Sequence, residues 1–331
     1  MKIVIDMMGG DNGIEVTIGA VNEFYKRHSE VELFLVGDEN ILNIEFKDIY
    51  NIHVVPSQTV LAMDVDPMTA LKEKTSSLMV AVETFIANSC DALISAGSTG
   101  ATLSAAVFKI KRLKGISRPG LITPFPSMIK GKKYVVCDLG ANNANTKEDL
   151  LNFAIMASTY YQVRYNEPSP RVHLLSNGTE EEKGSPLGKE VYPLLKACPD
   201  INFQGNIEAR DPLFGVTDVV VCDGYSGNIY LKATEGGCKV MSELIKKSFK
   251  KNIFTKLGYL FAKKGFDDLR ETMDYQSVGG AMLVGVNGIV VKAHGNSNIK
   301  SFLSALEGAY DLAYGEVLKK IKEKLEQYGN W

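Results

Sequence analysis

Apolar residues along this chain follow two rhythms. Short, nearly unbroken apolar runs alternate with longer stretches in which apolar residues recur every three to four positions. The first rhythm predicts strands at 2–6, 32–37, 51–56, 92–96, 133–139, 171–176, 201–204, 218–222 and 288–293. Runs such as YVVC at 134–137 and VVVC at 219–222 lack alternation, which suits strands covered on both faces. The second rhythm predicts helices between the strands. It is clearest near the C-terminus, where Ile299, Phe302, Leu303, Leu306, Tyr310, Ala313, Val317, Ile321 and Leu325 form one apolar stripe. The helix after Asn145 opens with a capping-box pattern, Thr146 with Asp149. Alternating strands and helices predict an α/β class, a mostly parallel sheet sandwiched between helical layers. No internal repeat or Pro/Gly/Ser-rich linker breaks the chain, so residues 1–331 read as one domain.

One segment departs from this pattern. From Leu244 to Phe266 there is no acidic residue, and Lys246, Lys247, Lys250, Lys251, Lys256, Lys263 and Lys264 hold the polar positions. Phe249, Ile253, Leu257, Leu260 and Phe261 recur at helical spacing, and Gly258 marks a place where the run could divide into two helices. A basic amphipathic helix suits an anionic membrane surface or an acidic partner. It suits equally an ordinary surface helix with its stripe in the core.

Composition narrows the picture without fixing it. The chain has 45% hydrophobic and 23% charged residues, and its net charge of −2 gives no basis for bulk nucleic-acid binding. Five cysteines without a CxxC pair (Cys90, Cys137, Cys198, Cys222, Cys238) read as reduced, mostly buried thiols. Asp6 interrupts the first apolar run, and no run of about 20 apolar residues follows, so the chain reads as cytoplasmic.

The chemistry gathers where strands end. The run 218–222 passes into Asp223, Gly224, Gly227 and Asn228 at the start of a helix, the place where open α/β sheets hold ligands and where anions are favoured. The first strand delivers Asp6 into Gly9 and Gly10, without the dinucleotide-binding fingerprint. Asp6 also suits ordering its own turn. The fourth strand enters Ser95, Gly97, Ser98, Thr99 and Gly100, whose amides and hydroxyls could receive a phosphate or simply pack tightly. Asn142 follows the fifth strand, as a ligand donor or a helix cap. Lys183 follows three glutamates after the sixth, as an anion-neutralising group or a solvated charge, and His294 follows the last strand. No spacing resembles a zinc site, and no GxSxG elbow is present.

Taken in order, MGGD, SAGSTGA, DLGAN, EEEKG, GNIEARD, VVCDGYSGNIYLKATEG, GGAMLVGVNG and HGNSN run from Met1 to about residue 325. In this order the chain resembles the bacterial phosphate acyltransferases of phospholipid synthesis, the acyl-ACP:phosphate transacylases. The resemblance implies the layered α/β fold of isocitrate and isopropylmalate dehydrogenases, shared by phosphotransacetylases. It implies transfer of a long-chain acyl group from acyl carrier protein to inorganic phosphate without metal or redox cofactor. It further implies a homodimer, peripheral contact with the membrane, and a product passed to a membrane glycerol-3-phosphate acyltransferase. By position in the motifs, Lys183 and Asn228 match the family's catalytic pair. The SAGSTGA loop and His294 match positions lining its cleft. The acidic residue of the family's DLGAN loop is missing at Asn143-Ala144, so no catalytic role falls there. Two other functions remain open at this point: phosphotransacylation from acyl-CoA, and a membrane-recruited protein that senses acyl-ACP without catalysis.

Overall fold

The computed structural model describes residues 1–272 and 279–327. Eleven strands form a single sheet: β1 (Lys2–Asp6), β2 (Glu32–Gly37), β3 (Ile52–Pro56), β4 (Ala92–Ser95), β5 (Gly120–Pro126), β6 (Lys133–Cys137), β7 (Arg171–Ser176), β8 (Asn202–Glu208), β9 (Val219–Val221), β10 (Ala281–Val284) and β11 (Ile289–Lys292). Their lateral order is β3-β2-β1-β4-β11-β10-β5-β6-β9-β7-β8. Helices α1 (Ile14–Tyr25), α2 (Glu39–Phe46), α3 (Pro67–Ala70), α4 (Ser77–Ala87), α5 (Thr99–Ala105), α6 (Lys147–Tyr165), α7 (Pro186–Ala197), α8 (Gly224–Phe249), α9 (Ile253–Thr272), α10 (Ile299–Tyr314) and α11 (Val317–Gln327) connect and flank them.

All nine expected strands are present, with ends shifted by a few residues. Pairing is parallel except at the centre, where β10 runs antiparallel to both neighbours and β5 antiparallel to β6. The strands on either side of this joint therefore run in opposite directions. The joint is also where the expectation falls short, because the apolar rhythm predicts neither β5 nor β10. β5 contains Pro124 and Pro126, which ordinarily mark a loop. Here β5 meets β10 only through Gly120–Ile122, and its prolines fall beyond that pairing, where no amide is needed on that side.

The burial pattern follows the period of two. On one face Ile3, Ile5, Ile94, Val135, Val219 and Val291 belong to a single core cluster spanning the whole sheet, covered by α1, α6, α7, α10 and α11. On the other face the core divides. One cluster holds Val4, Leu93 and Val290 with α4 and α5, and another holds Val136, Val220 and Cys222 with Tyr230 of α8. The C-terminal stripe is two helices rather than one, broken at Gly315, where a Cβ would stand 2.3 Å from Val163 Cγ1, and at Glu316, with φ of 55°.

Candidate functional site

In each half of the sheet, two adjacent parallel strands send their helices to opposite faces. β1 leads to α1 and β4 to α5, and likewise β6 leads to α6 and β9 to α8. Such switch points open a crevice at the strand ends. Most of the expected polar site residues fall at or beside these two places, Lys183 lies in the loop after β7, and the expected carrier or membrane contacts lie on α8, α9 and the turn between them.

At the first, Asp6, Ser95 and Lys292 stand side by side, Asp6 in register with Ser95 and Ser95 with Lys292. All three are buried on the same face, with Lys292 8% exposed. Asp6 Oδ1 accepts the amides of Met8 and Gly9 at 3.2 Å, and Oδ2 accepts Ser95 Oγ–H at 2.7 Å. Ser95 Oγ in turn accepts the Gly97 amide at 3.0 Å. A Cβ on Gly9 would lie 2.7 Å from both Asp6 Oδ2 and Gly97 N, so only glycine permits this approach. Gly10, with φ of 108°, adopts a backbone that side chains disfavour. Asp11 N donates to Gly295 O, and Asn12 Nδ2 to Asn296 O and Ser297 O, tying the loops after β1 and β11 together. Ser98 caps α5 through the Ala101 amide, Gly100 packs on Pro67, and Thr99 and His294 are exposed. The hydroxyls of Ser95 and Ser98 and the Gly97 amide are thus already paired within the protein.

Sequence patterning does not single out Lys292. Its ammonium donates to Ala96 O at 3.2 Å and to Ala293 O. Burial pushes it down to about 8, with Asp11 and Asp6 opposing that shift. The one signal in the sequence is a lone cation inside the apolar run IVVKA.

At the second switch point Asp138, at the end of β6, is the organiser. Its Oδ1 accepts the amides of Leu121 (2.9 Å), Gly140 (3.2 Å) and Ala141 (3.0 Å), and its Oδ2 accepts Asn142 N and Nδ2. Burial raises its carboxyl, and these donors pull it back. Asn142 Nδ2 also donates to Pro119 O, so its amide is engaged in holding the loop. The first turn of α8 lies directly on this loop. A Cβ would stand 2.1 Å from Asn142 O at Gly224 and 1.8 Å from Asp138 O at Gly227. Asp223 caps α8, accepting Ser226 N and Oγ–H. The Gly224 amide goes to Asn145 Oδ1 and the Gly227 amide to Asp223 O. The expected anion-cradling amides of this turn are therefore largely engaged. Asn228 is half-buried against Gly140, and Asn145 Nδ2 has no hydrogen-bond partner.

β7 is the parallel neighbour of β9, so the loop after β7 rises beside the α8 N-terminus. Lys183 sits there, exposed, its stem over Gly178. Glu181 pairs with Lys196 at 2.9 Å, and among the described residues no carboxylate pairs with Lys183. Asn206 Nδ2 anchors the loop through Glu180 O, and Asn206 Oδ1 and Ser176 Oγ beneath it lack partners.

No hydrogen bond or ion pair among the described residues joins the two groups. Their strands β4 and β6 are four steps apart, about 19 Å along the sheet. Ala141, in the loop after β6, nevertheless packs against the core cluster of the first half. Burial pushes the thiols of Cys137 and Cys222 well up, so neither is poised as a thiolate.

The basic segment belongs to a helical hairpin in which α9 folds back against α8. The break falls at 250–252, where Asn252 and Thr255 cap α9 reciprocally. It does not fall at Gly258, which lies inside α9 with open space where a Cβ would stand. Phe249 packs on Tyr259 and Phe266. Ile253, Leu257, Leu260 and Phe261 are exposed, Phe261 by 92%, as is Phe254. Lys246 bonds Glu243, while Lys250 and Lys251 are exposed. Among the described residues no helix is long and apolar enough to cross a membrane.

Comparison with known proteins gives a concordant result. A family described as "Fatty acid synthesis protein" matches residues 1–320. The phosphate acyltransferase of Pediococcus pentosaceus is 39% identical over 99% of this chain and 95% of its own length. That of Lactococcus lactis subsp. lactis is 41% identical over 99% of both. Among solved structures, a phosphotransacetylase from Streptococcus pyogenes aligns with a TM-score of 0.59 at 17% identity, over 96% of this chain and 94% of that one. A branched-chain phosphotransacylase from Enterococcus faecalis aligns with a TM-score of 0.56 at 14% identity, over 95% and 99%. These structural likenesses speak for the fold.

Proposed function

The chain belongs to the phosphate acyltransferase family, as an enzyme of acyl transfer to phosphate, and from there we propose that its donor is a long-chain acyl-ACP whose thioester bound phosphate attacks directly. A phosphate oxygen adds to the carbonyl carbon, the C–S bond breaks, and the carrier thiol leaves with the electron pair and takes up a proton. The products are acyl phosphate and free carrier.

The observation that carries this reading is the placement of Lys183 and Asn228 at the ends of adjacent parallel strands β7 and β9, with no carboxylate among the described residues paired to the lysine. A cation without a protein partner suits a dianionic nucleophile. Lys183 neutralises phosphate and the charge developing on the thioester oxygen, and Asn228 donates a hydrogen bond to that oxygen or to phosphate. Positioning a poorly nucleophilic phosphate supplies about 7–11 kcal/mol in favourable cases. The exposed apolar and lysine-rich hairpin suits an acidic carrier protein or an anionic membrane, in keeping with a homodimer that delivers acyl phosphate to a membrane glycerol-3-phosphate acyltransferase.

The test is phosphate-dependent release of carrier thiol from purified palmitoyl-ACP, with acyl-CoA as a parallel donor. Lys183→Ala and Asn228→Ala each lower kcat by about 10²–10³-fold if they stabilise the reacting charge. Wild-type rates in both variants would remove them from the site. Turnover of acyl-CoA alone would move the donor to that thioester, and no product from either would leave an acyl-ACP-sensing protein.

A further inference from the structure

The proposed chemistry leaves a basic loop between α5 and β5 without a task. The chain carries a net charge of −2, yet no acidic residue lies between Asp91 and Asp138. Lys109, Lys111, Arg112, Lys114 and Arg118 crowd into one short run of that stretch. Leu113 and Ile116 of the same run are buried in the core, while Lys111, Arg112, Lys114 and Arg118 are exposed. Among the described residues none of these four lies within ion-pair distance of a carboxylate. The loop is firmly held. Leu113 N donates to Gly285 O at 2.9 Å, Asn287 N to Lys111 O at 2.8 Å, and Asn287 Nδ2 to Arg112 O at 3.1 Å. Arg112 Nη1 donates to Ser117 O, and Ser117 Oγ to Asp149 Oδ1. Like charges gathered on one fixed loop repel each other, so folding alone gives no reason for them.

Because β10 and β5 reverse direction at the centre, the two halves of the sheet present their C-terminal strand ends on opposite edges. β5 starts on the edge where β6, β9 and β7 end, so the loop before it stands on the same side as Asn228 and Lys183. The link to Asn228 is direct. Pro119 O accepts Asn142 Nδ2 at 2.7 Å, Leu121 N donates to Asp138 Oδ1 at 2.9 Å, and Gly140 in the same turn packs on Asn228. β5 and β9 are two steps apart, about 10 Å. The lysines of the hairpin turn are remote by comparison. α8 carries Asn228 near its start and ends at Phe249, which puts Lys250 about 33 Å away along the helix axis. A pantetheine arm holds roughly five residues' worth of chain bonds and reaches at most about 18 Å. A carrier seated at the hairpin turn would leave its thioester short of Asn228 on the same chain. One seated on the basic loop would not.

We infer that the loop 109–118 is the docking surface for the acidic acyl carrier, its exposed cations meeting carboxylates of the carrier and Phe108, 58% exposed at the loop's entrance, adding an apolar anchor. It rests on acyl-ACP being the donor. A basic loop within the arm's reach of the site draws in an acidic carrier, and the attraction weakens as salt screens it.

The experiment measures the anisotropy of fluorescently labelled holo-ACP together with the KM for palmitoyl-ACP. Lys111→Glu, Lys114→Glu and Arg118→Glu combined are expected to weaken carrier binding about 10–10²-fold at low salt and to raise the KM in parallel. Lys320→Glu with Lys322→Glu, exposed on α11, alters charge on a remote surface and is expected to bind the carrier as wild type does. A loop variant that binds the carrier as tightly as wild type overturns the inference, as does a loss seen only in Lys250→Glu with Lys251→Glu. A loop variant that sheds anionic vesicles yet keeps the carrier assigns the loop to lipid and overturns it too. Should the loop variant fail to fold, hydrogen exchange of wild type with and without holo-ACP decides. Slowed exchange in 109–118 supports the assignment, and slowing confined to 246–261 refutes it. Wild-type turnover of palmitoyl-ACP with loop-independent binding would sink this inference and spare the donor reading. Loop-dependent binding of holo-ACP by an enzyme that uses only acyl-CoA would do the reverse.

Discussion

Gly227→Ala should disable the enzyme by adding one methyl group. A Cβ at this position would lie 1.8 Å from Asp138 O and 2.9 Å from Cys222 Sγ. Real Cβ contacts stop near 3.0 Å, so α8 and the loop after β6 must part by about 1.2 Å. The obstacle is a backbone carbonyl whose own residue is fixed by four backbone amides and the Asn142 side chain, so little of the strain can relax locally. Overpacking of this kind costs about 1–3 kcal/mol. At about 2–4 °C per kcal/mol, the unfolding midpoint should fall by about 2–12 °C. Asn228 is the next residue, and a misplacement of about 1 Å can cost about 10²-fold in rate. Calorimetry and the palmitoyl-ACP assay below the variant's midpoint would measure the two effects. Gly237→Ala, in the same helix with nothing within 4 Å of its Cβ, is the control and should gain about 0.5–1 kcal/mol. A Gly227→Ala enzyme with wild-type midpoint and a rate within about threefold would refute the claim that this approach positions Asn228.

Asp218 accepts Arg171 N, Nε and Nη2 and pairs with Lys132 at 3.3 Å. Burial opposes ionisation, but Arg171 outweighs it and holds the carboxyl below its ordinary 3.8. The stabilisation is therefore complete above about pH 4 and is lost as pH falls through the lowered value. Urea midpoints of wild type and Asp218→Asn should differ at about pH 6 and converge below about pH 4; a gap that persists undiminished at about pH 3 would contradict this assignment. In the hairpin, Leu257→Glu with Leu260→Glu should abolish sedimentation with anionic vesicles while sparing turnover of soluble palmitoyl-ACP, and unchanged sedimentation would rule out that surface as the membrane contact.

The sequence made the parallel strands visible because each is a short apolar run ending in turn residues, as Ile3–Ile5 before Asp6 and Val219–Val221 before Asp223 show. It hid β5 because two prolines argue against a strand, and the pairing that tolerates them is a long-range fact. It hid β10 because four apolar residues after two glycines carry no period. Motif position indicated the strand-end loops in which the expected site residues fall. It could not indicate which polar groups there are engaged internally: Ser95 on Asp6, Asn142 on Asp138 and Pro119, Asp223 on Ser226. Lys292 is hard to notice because a strand pattern absorbs a single cation without protest, and only the register with Ser95 reveals its neighbours.

The return of β11 to pair with β4 has a consequence for biosynthesis. Asp138 and Asn228 are both made once the first turns of α8 are, whereas Ser95 waits for Lys292. At about 5–20 residues per second, translation of the intervening chain takes about 10–40 s. During that interval β4 is an open edge, its amides and carbonyls available to any passing strand. A nascent chain halted before Lys292 would therefore hold one finished constellation and one unfinished, and the unfinished one is the half a chaperone would have reason to shield.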